Sequence, residues 1–121
     1  MPDAKTVDAL IETVEKGDFL GAIERFYAED ASMQENQSEP RRGRATLLEH
    51  ERKLLASMKA VRGRCVGPLL RDGDSVVIPW AFEFEGRDGK VVRMEELAQQ
   101  TWRGEQILRE RFFYDPAQLR G

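Results

Sequence analysis

Between Asp30 and Arg44, in the stretch DASMQENQSEPRRGR, the hydrophobic period of the chain changes from helical to extended. Upstream, Phe19, Ala22, Ile23, Phe26 and Tyr27 recur at helical spacing. Then Ala31, Met33 and Glu35 alternate with Ser32, Gln34 and Asn36 as a strand would. The alternation aims Met33 and Glu35 at one face. With that face inward, Glu35 is a carboxylate brought to an apolar interior, the setting of a general base. A one-residue slip would instead turn Gln34 or Asn36 inward and leave Glu35 in solvent.

Helical periodicity is confined to the first half. Val7, Leu10, Ile11 and Val14 form one stripe, with Thr6 or Asp3 available as a cap and Gly17 as the stop. Asp18 then caps the second helix. A third helix is expected from Ala45 to about Met58, where Leu47, Leu48, Leu54, Leu55 and Met58 share a side. Two polar residues interrupt it: Glu51 lies near the middle of the stripe, and His50, the only histidine, lies at its edge. An imidazole titrates near neutrality and can serve as acid or base.

From Arg62 onward the pattern is extended, broken by Gly67-Pro68 and by a tight turn at Asp72-Gly73. Three long strands follow. Ser75–Glu85 places Ile78, Trp80, Phe82 and Phe84 on one face, and its Pro79 requires a bulge or a local edge. Val91–Trp102 turns Val92, Met94, Glu96, Ala98, Gln100 and Trp102 to one side. In Gln106–Tyr114 the set Leu108, Glu110, Phe112, Tyr114 competes with Ile107, Arg109, Arg111, Phe113. A three-residue turn at Arg103-Gly104-Glu105 sets Ala98 opposite Glu110 and makes Glu96 and Glu110 diagonal neighbours; a two-residue turn sets Arg111 against Glu96.

A chain of 121 residues makes one domain, 1–121. A net charge of −3 argues against nucleic acid, whose phosphates need a basic face. Arg41, Arg42 and Arg44 are the one basic cluster and read as a solvated turn. The single cysteine, Cys65, excludes an internal disulfide and suits a reducing compartment. The N-terminal stretch holds no apolar run of signal or membrane length, so a cytoplasmic chain without membrane contact is expected. Helices over a curled antiparallel sheet make an α+β layer arrangement. Glu35, His50, Glu51, Glu96, Gln100 and Glu110 are too many polar groups for a plain core, and a pocket accounts for them.

The runs EKGDFLGAI, FYAEDASMQENQSEPRRG and LRERFFYDPAQL together resemble the polyketide-cyclase-like (SnoaL-like) branch of the nuclear-transport-factor-2 superfamily, which also contains ketosteroid isomerase. The resemblance implies a cone of three N-terminal helices on a curved, mostly antiparallel sheet, an apolar pocket between them, and a homodimer through the sheets. It places the isomerase's proton-shuttling carboxylate on Glu35, a pocket phenylalanine on His50 and a buried tyrosine on Glu51. Pocket-facing strand positions fall on Trp80, Phe82, Glu96 and Glu110, which favours the three-residue turn. The oxyanion-hole positions fall on Leu10 and Ala98, which donate nothing, so steroid isomerisation itself is not expected.

The function expected is therefore a cofactor-independent isomerase, cyclase or hydrolase acting on a small apolar carbonyl compound. Glu35 would be the base, with His50 and Glu110 supplying the acid. Leu10, Met33, Glu51, Trp80, Phe82, Met94, Glu96, Ala98, Gln100 and Phe112 would line the ligand site. No metal is expected, since His50, Glu35 and Glu110 lack ligand spacing. The alternative is a non-catalytic binding or interaction module of the same fold.

Overall fold

The computed structural model describes residues 1–120. Asp18 caps the second helix as its position suggests, its side chain accepting a hydrogen bond from the Gly21 amide at 2.9 Å. The helices are α1 (Ala4–Glu15), α2 (Phe19–Phe26) and α3 (Arg44–Ser57). The strands are β1 (Tyr27–Glu35), β2 (Arg41–Arg42), β3 (Met58–Cys65), β4 (Leu70–Asp72), β5 (Ser75–Gly86), β6 (Val91–Arg103) and β7 (Gln106–Phe113), followed by a 3-10 turn over Pro116–Arg120. Two boundaries differ from expectation. Tyr27 is extended and opens β1, and β3 begins at Met58 directly after α3.

The strands make one curved, open sheet in the order β2-β1-β7-β6-β5-β3, with β4 also on β5. Only β1 and β7 run parallel; the other pairings are antiparallel. The core lies between the helices and the inner face, where Val7, Leu10, Ile23, Phe26 and Leu47 pack with Val76, Ile78, Trp80, Trp102 and Ile107. Pro79 sits where β3 has ended and β4 has not begun, so β5 is locally an edge there; only its carbonyl is used, accepting from the Val66 amide at 3.0 Å. Among the described residues no helix is long and apolar enough to cross a membrane.

The last hairpin corrects the register. Arg103 pairs with Gln106 and Trp102 with Ile107 across a two-residue turn, Gly104-Glu105, and Gly104 adopts φ +62°. Leu108 is then skipped in a β-bulge, after which Gln100 faces Glu110 and Ala98 faces Phe112. Glu110 thus lies opposite Gln100 rather than Ala98, and Glu96 lies beyond diagonal reach. The bulge lets Ile107 point inward before it and Glu110 and Phe112 after it.

Gly63 pairs with Phe82, and a Cβ there would stand 2.5 Å from a Phe82 ring carbon. Glycine lets that ring lie over β3. Gly63→Ala is expected to lower stability by about 1–2 kcal/mol through overpacking, seen as a lower urea midpoint; an unchanged midpoint would show that the ring moves freely.

Candidate acid–base cavity

The concave side of the sheet and the three helices enclose a cavity of about 590 Å³. Its walls are mainly apolar: Leu10, Val14, Phe19, Trp80, Phe82, Met94 and Phe112 all contribute. Sheet pairing arranges the inner face in rows. Met33, Glu110, Gln100 and Val76 form one row across β1, β7, β6 and β5, and Glu35, Phe112, Ala98 and Ile78 form the next. Glu35 and Glu110 are therefore diagonal neighbours on adjacent strands, about 8 Å apart at the backbone by sheet geometry.

Glu110 is only 3% exposed and lines the cavity. The Tyr27 hydroxyl donates to one of its oxygens, and Gln100 Nε2 donates to the other at 2.7 Å. Gln100 is held in turn by Trp102 Nε1, which donates to its Oε1 at 3.0 Å. This chain fixes the amide orientation, since the indole can only donate. Burial pushes the Glu110 carboxyl up to about 7, against the lowering effect of the Gln100 and Tyr27 hydrogen bonds, with Glu35 and Glu51 adding to the rise. Burial also holds the Tyr27 hydroxyl well above its ordinary value, and neighbouring Glu110 adds to that.

Glu96 sits across from Trp80 on β5 and is 9% exposed. Burial, then the charges of Glu110, Glu35 and Glu51, push it up to about 8. Since Glu110 has two donors that favour its ionised form and Glu96 has none, Glu96 is the member that keeps its proton longer. On the β1 side, Glu35 is half-buried and ion-paired with Arg41 of β2. Arg41 Nε is buried there with no hydrogen-bond partner. Glu51 reaches the cavity from α3, and its burial raises its pKa, with Glu35 adding to the rise against the opposing charge of Arg41.

The SnoaL-like domain family matches residues 7–110. The chain belongs to this family. Among solved structures, the SnoaL-like fold recurs in a Mesorhizobium loti protein assigned as a SnoaL-like polyketide cyclase: 25% identity, 94% of this chain and 100% of that one covered, TM-score 0.80. TerC co-crystallised with polyporic acid is 15% identical over 99% of this chain and 96% of its own, with TM-score 0.83. A Mycobacterium tuberculosis LEH-like epoxide hydrolase is 14% identical over 97% and 89%, with TM-score 0.78. The latter two show the fold alone, as do matching structures called ketosteroid isomerase-like and NTF2-like. No curated protein matches the chain.

Within this SnoaL-like domain, most of the residues anticipated from sequence do line the cavity: Glu35, Glu110, Leu10, Met33, Glu51, Trp80, Phe82, Met94, Glu96, Gln100 and Phe112. Two stand differently. Ala98 is fully buried in the floor between Ile78 and Phe112 and is not part of the lining. His50 reaches only the rim, on an exposed position of α3, and partial burial with the Arg41 charge lowers its pKa. The sequence pattern does not point to Tyr27 or Arg41 as part of the site: the first continues a helical stripe and the second follows a proline in a basic turn. Among the described residues no group of three His, Cys, Asp or Glu side chains is placed to hold a metal ion.

Proposed function

We propose that the cavity enolises a small, apolar carbonyl compound without a cofactor, as the first step of an isomerisation or cyclisation. The carrying observation is the Tyr27–Glu110 pair, a hydroxyl on a buried carboxyl near 7, in the lining of an apolar cavity whose β1 wall holds a second carboxylate, Glu35. Glu35 takes a proton from the carbon next to the carbonyl, and the bonding electrons pass to the carbonyl oxygen. The Tyr27 hydroxyl donates to that oxygen, and protonated Glu110 replaces its hydrogen bond from behind. Return of the proton from Glu35 to a different carbon gives an isomer; attack of the enolate on a second carbonyl closes a ring. Tyr27 and Glu110 thus supply what Leu10 and Ala98 lack. His50 at the rim takes no part.

The test is α-proton exchange of 2-tetralone in D2O, followed by NMR. It reads enolisation whatever the native product is. Exchange above the buffer rate that is lost in Glu35→Gln and Tyr27→Phe supports the reading; ligand binding without exchange by any carbonyl compound tried points to the binding module instead.

We also propose that two copies pair through their outer sheet faces. Leu97 and Phe113 stand opposite each other in register and are 48% and 36% exposed, on the same outer face as the Glu83–Arg93 ion pair at 3.3 Å. Sedimentation is expected to show a dimer that Leu97→Glu converts to monomer; a monomeric wild type at high concentration removes this part of the proposal.

A further inference from the structure

Three carboxyls face the sheet side of the cavity, and two have partners within the protein: Glu110 has Tyr27 and Gln100, and Glu35 has Arg41. Glu96 has none. It is 9% exposed, lines the cavity, and makes no hydrogen bond or ion pair with any described residue. Met94 and Ala98 on either side of it are buried and apolar, so an apolar residue would complete the inner face of β6 without cost. A carboxyl kept at such a position without a partner marks where a ligand group belongs.

Its surroundings state which group. Glu110 and Tyr114 face it from β7 and the segment after it, Glu35 from β1, Glu51 from α3 and Tyr27 from the start of β1. These are acids, carboxylates or phenols; Arg41 is engaged by Glu35, and Lys90 stands exposed at the mouth. The local potential disfavours an anion and favours a cation. On the same inner face, aromatic rings run along β5 next to Glu96, whose cross-strand partner is Trp80: Trp80 and Phe82 have centroids 5.7 Å apart, and Phe82 and Phe84 6.1 Å. Such rings attract substituted ammonium groups and accept their alkyl surface.

We propose that the ligand of this cavity carries a cationic nitrogen on an apolar body, seated over the Glu96 carboxylate and the adjoining rings of Trp80 and Phe82. This rests on the cavity being the ligand site, as argued above, and not on any turnover there. Binding of the cation draws the proton from Glu96, which leaves to solvent, so affinity rises with pH.

Phenyltrimethylammonium and tert-butylbenzene have the same shape and differ in charge, and their binding can be followed by tryptophan fluorescence. At pH 8.5 the cation is expected to bind at least tenfold tighter than the hydrocarbon, and the preference to shrink below pH 7. Glu96→Gln should abolish the preference while still binding tert-butylbenzene, which shows that the variant is folded. Tyr27→Phe should keep the preference even though it loses α-proton exchange, so the two readings fail separately. Equal or weaker binding of the cation at pH 8.5, no binding of either probe, or a preference that survives Glu96→Gln would overturn the proposal.

Discussion

Glu35→Gln is expected to lower the α-proton exchange rate by a factor of about 10²–10⁴, the usual contribution of a positioned general base, with KM changed little. Glutamine keeps the volume and the contact to Arg41 but cannot take a proton. The loss falls on kcat because the interaction removed is one made in the transition state. Tyr27→Phe is expected to cost about 10²-fold, since it removes one donor from the developing oxyanion. The two variants should differ in pH dependence. Enolisation needs Glu110 protonated behind Tyr27, so the wild-type rate is lost as pH rises through about 7. The Tyr27 hydroxyl donates to the Glu110 carboxylate and so favours its ionised form. Glu110 acts through that hydroxyl, so the residual activity of Tyr27→Phe should lose this limb, whereas the residual activity of Glu35→Gln should keep it. Full exchange activity in Glu35→Gln would end the assignment of the base.

Much of this arrangement is legible in the sequence where one residue decides one direction. In β6 the alternation of Met94, Glu96, Ala98, Gln100 and Trp102 is uninterrupted, and all five are buried. Strand alternation carries no register across a turn, however, and β7 shows the consequence. One of its two competing inward sets holds before the bulge at Leu108, at Ile107, and the other after it, at Glu110, Phe112 and Tyr114. Nothing in QILRERFF announces that bulge. Tyr27 was illegible for a related reason: Phe26 and Tyr27 continue the spacing of α2, and only the turn of the backbone into β1 redirects the ring toward Glu110. Arg41 lies in a two-residue strand too short for any period to show. The partners of the carboxyls, more than the carboxyls themselves, were hidden in this way.

The partners decide the energetics. Four glutamates line this cavity, and an unpaired buried charge costs several kcal/mol, so the protein meets the cost differently at each. Glu35 has a guanidinium, Glu110 has two neutral donors, and Glu51 remains half-buried near the helix surface. Only Glu96 is left to meet it by holding a proton.

Stability should therefore fall with rising pH, and Glu96→Gln should remove part of that fall. Folded Glu96 titrates at about 8 against an ordinary value of 4.5. Below about 4.5 both folded and unfolded chains hold the proton, and the stabilisation is fully present. Between 4.5 and 8 the unfolded chain releases it and the folded chain retains it, so unfolding gains ground as pH rises. Above 8 the folded carboxyl ionises too, and the loss levels off. Glu110, raised to about 7, acts with the same sign, and His50, whose pKa is lowered, with the opposite sign at the acid end. At 1.36 kcal/mol per pKa unit the Glu96 share amounts to a few kcal/mol at most, and repacking or water entry around the ionised carboxyl reduces it. Glutamine has the same shape and no charge to bury. Urea midpoints of the two proteins should therefore lie close together at pH 5 and separate as pH rises, with Glu96→Gln the more stable by about 2 kcal/mol at pH 9. Parallel curves would mean that Glu96 already ionises freely in the folded chain, and the cavity around it would have to be wetter than its apolar walls imply.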